Sequence, residues 1–250
     1  MTDTKPLAWL PFEPDLLDAA PDSLRYEVFV PEEGVEPPAS ISDVEFYVPP
    51  YSFSARDGGV LQDMSSLKVV QTMSAGVDHL RSYVPAGVTL CRGAGVHDAS
   101  TAELALALIL ASLRGLPGFV RAQDRAEWRP QRTTSLADRT VLIVGYGSVG
   151  AAIERRLEGF EVDVLRGPVV DTGALVAELE QGRIRAAVDV TDPEPLPSDH
   201  PLWRVPGLLI LPHVGGASSA MWPRAHRLVQ EQLERFSAGE PLRYVVSGEY

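Results

Sequence analysis

The sequence predicts an α/β protein with parallel β-sheets, and two features of the chain lead to this prediction. In the first 95 residues, short apolar runs alternate with polar, proline-rich or helical stretches, an order that is typical of β-α units. Farther along, residues 140–144 read TVLIV and run directly into the glycine-rich sequence GYGSVG. An apolar, β-branched run of this kind is typical of a buried strand in a parallel sheet.

Four apolar runs are expected to form the strands of the first part of the chain. They are residues 7–12, 26–30, 44–48 and 67–72, each closed by Pro, Gly or Ser. Short helices are expected near residues 15–20 and 59–64. After the fourth strand, Ala75-Gly76-Val77 offers backbone N–H groups that suit a carboxylate. An ordinary turn between a strand and a helix is the simpler interpretation of the same residues.

A long helix is predicted from Ser100 to about Leu113, because Ser100 and Glu103 form a capping box. The helix is apolar nearly all round, so we expect it to be buried on more than one side, between domains or against a second subunit. Another helix is expected over residues 117–128. Later in the chain, the predicted strands are 161–165, 185–190 and 208–211, and the predicted helices are 172–181 and 221–238.

The glycine-rich turn after residue 144 predicts a dinucleotide-binding site, since its glycines have the G-x-G-x-x-G spacing between a strand and a helix. The first glycine permits the tight turn, the second lets a pyrophosphate approach the backbone, and the third lets helix and strand pack closely. The N–H groups at the helix start favour an anion. A plain tight turn in another α/β fold is the alternative. The turn residues expected to contact the cofactor are Gly145, Gly147, Ser148, Val149 and Gly150.

Composition narrows the classes of function. The chain has 250 residues, 45% of them hydrophobic, which is enough for a substantial core and for two domains. Its formal net charge of −12 repels phosphate backbones and anionic lipids, so we expect no nucleic-acid and no membrane partner. Cys91 is the only cysteine, and the first residues lack the basic and apolar regions of a signal peptide. Both features favour a cytoplasmic protein.

Three of the predicted strands in the second half lead into polar side chains of catalytic type. Arg166 follows the strand after the glycine helix, Glu194 lies in a proline-rich loop after the next strand, and His213 follows the last strand. Strand ends are where α/β enzymes carry their chemistry. Each residue alone has an ordinary structural interpretation, but together with the glycine-rich turn they fit a hydride transfer to a 2-oxo acid.

Seven stretches of the chain resemble the D-isomer-specific 2-hydroxyacid dehydrogenases, a family similar to phosphoglycerate dehydrogenase. They follow the family's order and span most of the chain: SAGVDHL, GVHDASTAELALALIL, VGYGSVG, RGPVVDTGALVAEL, GRIRAAVDVTDPEPLP, HPLW and LPHVGGAS. The resemblance implies a Rossmann-type cofactor domain, residues 96–221, inserted in a flavodoxin-like α/β substrate domain made of residues 1–95 and 222–250. It also implies NAD or NADP, a small 2-oxo or 2-hydroxy acid as substrate, and a homodimer joined through the helix over residues 100–113.

The resemblance further implies a role for each candidate site residue. His213 would be the general acid that protonates the substrate carbonyl, and Glu194 would hydrogen-bond its imidazole and fix its tautomer. Arg166 would bind the substrate carboxylate and polarise the carbonyl. The other residues implied to contact the substrate carboxylate are Ala75, Gly76 and Val77. The residues implied at the nicotinamide end of the cofactor are Asp189, His213 and Gly216.

The predicted cofactor domain is shorter than the family pattern. About two β-α units and one strand, on the order of 60 residues, are absent between the strand after the glycine helix and the Arg-Gly loop. In a dinucleotide fold, the strand after the glycine helix ends at the adenosine ribose, whereas the strand that carries the arginine ends near the nicotinamide. The single strand over residues 161–165 cannot occupy both places. If it lies beside the strand over residues 140–144, Arg166 is far from the substrate carbonyl; if it lies on the nicotinamide side, the wall of the ribose site is missing. We expect lower stability or rearranged strand pairing.

The ribose-binding acid is also absent from its expected position. About 20 residues beyond Gly145, an NAD-binding chain has Asp or Glu, whereas this chain has Leu165 and Arg166. An arginine there suits the 2′-phosphate of NADP, but the surrounding sequence RGPVVD marks Arg166 as the family's catalytic-loop residue. The choice between NAD and NADP therefore stays open.

Three functional hypotheses remain open at this point: an oxidoreductase with an impaired cofactor site, a non-catalytic dinucleotide-binding or regulatory dimer, and an inert, internally shortened chain. A methyltransferase would leave Arg166, Glu194 and His213 without roles. The five histidines are widely scattered, so no metal site is expected. The G-x-S-x-G sequence of hydrolases is absent as well.

Overall fold

The computed structural model describes residues 5–32, 34–52, 56–167, 177–179 and 181–247. The chain forms two compact units, one made of Met1–His97 with Ala220–Tyr250 and the other of Asp98–Ser219. Both units contain parallel strands, so the predicted α/β class with parallel sheets is confirmed. The predicted helix over residues 172–181 lies mostly outside the described residues.

The first unit is built on a five-stranded parallel sheet with the strand order β2-β1-β3-β4-β5. Its strands are β1 Leu7–Leu10, β2 Arg25–Val28, β3 Val44–Tyr47, β4 Val69–Gln71 and β5 Thr89–Cys91. All four residues of β1 are buried, as expected for a central strand covered on both faces. Trp9 is fully buried there, and its indole N–H donates to Glu27 over 3.0 Å, which satisfies its polar atom.

The helices of the first unit cover this sheet. Single-turn helices α1 (Arg56–Gly59) and α2 (Asp78–Arg81) follow strands β3 and β4, and the long helix α6 (Met221–Ala238) closes the chain. The stretch predicted as a helix over residues 15–20 forms only a 3₁₀ turn, Pro14–Leu16. The buried apolar residues of α6 recur at helical spacing and pack against one face of the sheet. They are Met221, Ala225, Leu228, Val229 and Leu233.

The second unit contains two separate pairs of parallel strands. One pair is β6 (Thr140–Val144) with β7 (Asp163–Gly167), and the other is β8 (Ala186–Val188) with β9 (Leu208–Ile210). A complete dinucleotide fold would be one continuous sheet. The two pairs are separate sheets in the described part of the chain, as expected when a strand that would lie between them is absent.

Three helices of the second unit pack around these strands: α3 (Asp98–Leu113), α4 (Leu116–Asp124) and α5 (Ser148–Leu157). Helix α3 contacts α5, β8 and β9, and its apolar residues adjoin the buried cluster of Leu136, Ile143 and Leu157. No single helix among the described residues has both the length and the hydropathy to cross a membrane. Helices α3 and α4 have them only when taken as a pair, and their axes are bent by 68° relative to each other.

The predicted start of α3 is wrong by two residues. The helix begins at Asp98, and Ser100 is a buried residue of its first turn rather than its cap. The Asp98 carboxylate is the acidic group at this helix start, where the helix dipole favours a negative charge.

Candidate functional site

The glycine-rich turn has the shape that its sequence predicts, with a different physical requirement at each glycine. Gly145 has φ of +78°, a left-handed conformation that strongly favours glycine. A Cβ on Gly150 would lie 2.8 Å from the carbonyl oxygen of Gly145, so the close contact of helix and turn leaves no room for a side chain. A Cβ on Gly147 would enter open space in front of the turn.

Helix α5 begins at this turn and provides donors for an anion. Its first intrahelical hydrogen bond runs from the Ala151 N–H to the Gly147 carbonyl at 3.0 Å. The preceding N–H groups of Ser148, Val149 and Gly150 have no partner within the helix, as at every helix start. Together with the open space at Gly147, they form a cradle that fits the pyrophosphate of a dinucleotide.

The Ser148 side chain connects α5 to α3. Its hydroxyl donates to the Asp98 carboxylate over 3.0 Å. Asp98 was not among the predicted site residues, since an acid at a helix start is usually structural. The available signal was its position next to His97, two residues before the sequence STAE.

Strand β7 lies directly beside β6, with Arg166 in register with Ile143 and Gly167 in register with Val144. The Arg166 guanidinium forms an ion pair with Glu154 of α5, and its Cζ lies 4.7 Å from the centroid of the Tyr146 ring. The Tyr146 hydroxyl also hydrogen-bonds Glu154. The hydrogen bond from Tyr146, reinforced by Arg166, lowers the pKa of the Glu154 carboxyl.

The structure therefore does not bring Arg166 to the place that the family motif implies. Its guanidinium is held by Glu154 and Tyr146 at the glycine-rich turn, instead of meeting the Glu194 and His213 side chains. The reason is the strand pairing: with the intervening segment absent, β7 pairs with β6, and this strand end is the one that meets the adenosine ribose. Neither Tyr146 nor Glu154 was predicted as a site residue.

Glu194 and His213 do come together. Nδ1 of His213 lies 2.8 Å from Oε1 of Glu194, and both side chains are about two-fifths exposed. His213 has φ of +54°, an uncommon conformation for a residue other than glycine, of the kind that clusters at functional sites. The arrangement orients the imidazole with its Nδ1 toward a carboxylate, which fixes the tautomer.

Asp189 holds the segment that carries His213. Its backbone carbonyl accepts from the His213 N–H over 2.8 Å, and its carboxylate accepts from the N–H groups of Val214 and Gly215 over 2.8 and 2.7 Å. A Cβ on Gly215 would lie 2.7 Å from that carboxylate and 3.2 Å from Thr101. Glycine is therefore required at position 215, next to Gly216, which the sequence analysis selected.

The loop that carries Glu194 is braced by the turn Pro201–Arg204. The indole N–H of Trp203 donates to the carbonyl of Pro197 over 2.8 Å. Within the loop, the Thr191 hydroxyl donates to the carbonyl of Pro193 over 3.0 Å. These contacts explain how an exposed loop acid is kept beside the histidine.

The turn Ala75-Gly76-Val77 belongs to the first unit. The Ser74 hydroxyl donates to the Gly76 carbonyl over 2.8 Å, Val77 is buried, and a Cβ on Gly76 would meet nothing within 4 Å. The turn thus has an open side at Gly76. Across the described residues of the chain, no three His, Cys, Asp or Glu side chains are grouped so that they could hold a metal ion.

Comparisons with known proteins indicate one family. A sequence profile of the "D-isomer specific 2-hydroxyacid dehydrogenase, NAD binding domain" matches residues 106–165 and 162–215. Human glyoxylate reductase/hydroxypyruvate reductase is 28% identical, with 71% of this chain and 76% of that protein covered. Glyoxylate reductase of Thermofilum pendens is 27% identical, with 74% and 76% covered.

Two solved structures share the fold. A D-isomer specific 2-hydroxyacid dehydrogenase family protein from Aeromonas salmonicida has a TM-score of 0.80 at 21% identity, with 96% of this chain and 98% of that chain covered. The enzyme from Xanthobacter autotrophicus, solved with NADPH and MES, has a TM-score of 0.73 at 23% identity, with 98% of both chains covered.

The alignment with the human protein also measures the missing segment. It extends over 250 positions but includes 71% of the 250 residues of this chain, or about 178, so about 72 positions have no counterpart here. The two profile matches meet at residues 162–165, where the sequence analysis places the missing segment. The cofactor of this family is NAD or NADP, and the cradle at the glycine-rich turn fits it. The profile and these relatives indicate the D-isomer-specific 2-hydroxyacid dehydrogenase family.

Proposed function

We propose that this chain is an NAD(P)-dependent oxidoreductase that transfers a hydride between nicotinamide and a small 2-oxo or 2-hydroxy acid such as glyoxylate or hydroxypyruvate. The observation that carries the proposal is the hydrogen bond between His213 and Glu194, in the same unit as the glycine-rich turn. The names of the human and archaeal relatives support this substrate class.

In the proposed reaction, the bound nicotinamide supplies the hydride, and His213 supplies the proton. Glu194 accepts the Nδ1–H of His213, so Nε2 is the atom that exchanges a proton with the substrate oxygen. By accepting this hydrogen bond, the Glu194 carboxylate keeps the imidazole in the orientation that the transfer at Nε2 needs. Asp189 keeps the histidine in position through its hydrogen bonds to the backbone of residues 213–215.

The substrate carboxylate is assigned to the backbone N–H groups of the turn Ala75-Gly76-Val77. Residues 1–95 and 222–250 would then form the substrate domain, and residues 96–221 the cofactor domain. Arg166 is left out of the substrate site because Glu154 and Tyr146 hold it elsewhere. Without a guanidinium on the substrate, we expect turnover about 10²-fold or more below that of a complete family member, as when one charge-stabilising donor is removed.

We also propose a homodimer joined through α3, in a cytoplasmic protein. The apolar residues of α3 are mostly half-buried, and Leu116 and Val120 of the adjoining α4 are about half exposed. A second subunit on this surface would bury them. The cytoplasmic assignment is based on the single cysteine.

A second candidate function is favoured by the position of Arg166. A chain that binds the dinucleotide but has no guanidinium clamp on the substrate would be a non-catalytic or regulatory dinucleotide-binding protein. It would show coenzyme affinity without turnover, which separates it from the oxidoreductase.

The test is oxidation of NADH and NADPH, followed at 340 nm, with glyoxylate, pyruvate and hydroxypyruvate. We expect slow turnover with at least one pair, and none in the His213→Ala variant with unchanged coenzyme binding. Arg183→Ala is the matched control, because Arg183 is an exposed residue of the same unit that pairs with Glu178 outside the site. Absence of turnover with every pair, despite coenzyme binding, would leave only the non-catalytic function.

A further inference from the structure

We propose that Arg166, supported by Tyr146, binds the 2′-phosphate of NADP(H), so that this chain prefers NADP(H) to NAD(H). The inference rests on the dinucleotide site of the proposed function, but not on catalysis. In this chain, an arginine that the family motif assigns to the substrate would instead select the coenzyme.

The position of Arg166 in the sheet supports this assignment. It lies at the carboxyl end of β7, in register with Ile143, two residues before the glycine-rich turn begins at Gly145. In dinucleotide folds, the end of the strand after the glycine helix meets the adenosine ribose. An acid there hydrogen-bonds the 2′-hydroxyl of NAD, and an arginine accommodates the 2′-phosphate of NADP.

Strand β7 has no acidic residue at this end. Its one acidic residue, Asp163, is in register with Thr140 at the opposite end of the strand. Arg166 lies three positions farther along the strand, or about 10 Å away. The exposed side chains that β7 places near the turn are therefore Leu165 and Arg166.

The Arg166 guanidinium is exposed and stacked on an aromatic ring. The Arg166 side chain is 55% exposed, and the ring of Tyr146 lies under it at 4.7 Å. Stacking on an aromatic ring restricts the guanidinium while leaving its edge N–H groups accessible. A guanidinium edge binds phosphate oxygens through two parallel hydrogen bonds.

A bound phosphate would have to displace the Glu154 carboxylate from Arg166. That carboxylate pairs with Arg166, and an exposed ion pair of this kind contributes little to stability. A phosphate monoester carries a charge of about −1.5 to −2 at pH 7, against −1 for the carboxylate, so it competes well for the arginine. Glu154 would then lie close to the phosphate and weaken its binding by repulsion.

The experiment measures the dissociation constants of NADPH and NADH for the full chain by fluorescence titration at fixed ionic strength. Adenosine 2′-monophosphate and adenosine 5′-monophosphate serve as probes of the ribose end alone. The variants are Arg166→Ala, Arg166→Lys and Glu154→Gln. Arg183→Ala is the matched control, because Arg183 is an exposed residue of the same unit that also pairs with a glutamate, Glu178.

We expect the wild type to bind NADPH about tenfold or more tightly than NADH, the effect of one charge-assisted contact. Arg166→Ala should remove this preference while changing NADH affinity less than about twofold, and Arg166→Lys should retain part of it. Glu154→Gln should tighten NADPH by about two- to threefold by removing the repulsion. Arg183→Ala should change neither coenzyme.

Equal or tighter binding of NADH by the wild type would overturn the assignment, as would an equal loss of both coenzymes in Arg166→Ala. Failure of the wild type to bind either coenzyme would overturn the assignment together with the dinucleotide site. If the wild type prefers NADPH but shows no turnover, the assignment of Arg166 to the 2′-phosphate stands, and the proposed oxidoreductase activity is excluded. Melting curves of every variant, with Arg166→Lys and Glu154→Gln as the conservative changes, separate lost binding from lost fold.

Discussion

Gly147 and Gly150 stand three residues apart in one turn, yet a methyl group has a different consequence at each. At Gly147 it would enter open space, and the backbone φ of −100° is accessible to alanine. At Gly150 it would lie 2.8 Å from a backbone carbonyl oxygen. The fold therefore requires the second glycine but not the first, and we propose that the first is required by the ligand.

Gly147→Ala should accordingly weaken coenzyme binding, and Gly150→Ala should lower the stability of the fold. We expect Gly147→Ala to change the free energy of unfolding by less than about 0.5 kcal/mol while weakening NADPH binding about tenfold or more, because the added methyl group occupies the pyrophosphate approach. Gly150→Ala should lower the free energy of unfolding by about 1–3 kcal/mol. Urea denaturation and coenzyme titration measure the two quantities. Unchanged coenzyme affinity in Gly147→Ala would place the pyrophosphate elsewhere.

A second prediction at this scale concerns His226 of α6. Its ring lies against Phe12 and Trp222, with centroids 4.5 and 5.8 Å apart, and burial lowers the pKa of its imidazole below the usual 6.5. The unfolded chain therefore binds a proton that the folded chain does not. Stability should fall as the pH drops below about 6.5, with a slope of at most about 1.4 kcal/mol per pH unit from this group.

The check is urea denaturation between pH 5 and 7.5 for the wild type and His226→Phe. The phenylalanine variant should lose this part of the pH dependence, since it has no group to protonate there. An equal decline with acid in both proteins would show that other groups cause it.

At the scale of elements, the shortened sheet leaves apolar surface exposed. Leu142 of β6 and Leu165 of β7 are register partners, and they are 58% and 56% exposed. Their neighbour Ile143 is only 5% exposed and belongs to the buried cluster with Leu157. One face of the β6-β7 pair is thus covered in the usual way, and the other is not.

Replacing the exposed pair should cost little stability and improve solubility. We expect Leu142→Thr with Leu165→Thr to change the free energy of unfolding by less than about 1 kcal/mol, because neither side chain is buried. The contrasting change, Ile143→Ala, should cost about 2–5 kcal/mol. Urea denaturation and the concentration at which aggregation begins provide the readouts. A large loss of stability in the threonine double variant would mean that this face is covered in solution.

These elements show which features of the fold can be predicted from the sequence. Strand β6 and helix α6 were predicted with the bounds that the structure has, since an apolar β-branched run and an amphipathic repeat are local properties. The pairing of Glu194 with His213 was implied by the family resemblance. The position of Arg166 was not, because its surrounding motif and its strand pairing point to different places, and pairing is a non-local property. The start of α3 was missed for a local reason, since both Asp98 and Ser100 suit a helix start.

At the scale of the whole molecule, two units share the proposed function. The first contains the turn assigned to the substrate carboxylate, and the second contains the dinucleotide cradle with His213 and Glu194. The chain lacks about 72 of the positions that the human relative has in the aligned region, yet both the cradle and the histidine–glutamate pair are present. We infer that coenzyme binding and proton transfer survive the shortening better than the substrate clamp.

Coenzyme binding should consequently stabilise the molecule. At a free NADPH concentration about 100 times its dissociation constant, the free energy of unfolding should rise by about 2.7 kcal/mol, because only the folded chain binds the ligand. Differential scanning calorimetry with and without NADPH measures the shift. Gly147→Ala, which should bind NADPH about tenfold more weakly, is the control whose free energy of unfolding should rise by only about 1.4 kcal/mol at the same concentration. A melting temperature independent of NADPH in the wild type would contradict a formed cradle.

The most direct measurement of the central claim is the turnover number for NADPH with hydroxypyruvate in the wild type, His213→Gln and Glu194→Gln, with coenzyme dissociation constants from the same samples. If His213 donates the proton and Glu194 orients it, His213→Gln should lower the turnover number by about 10²-fold or more. Glu194→Gln should lower it by a smaller factor, and coenzyme affinity should change in neither. Turnover in His213→Gln equal to that of the wild type would contradict the account.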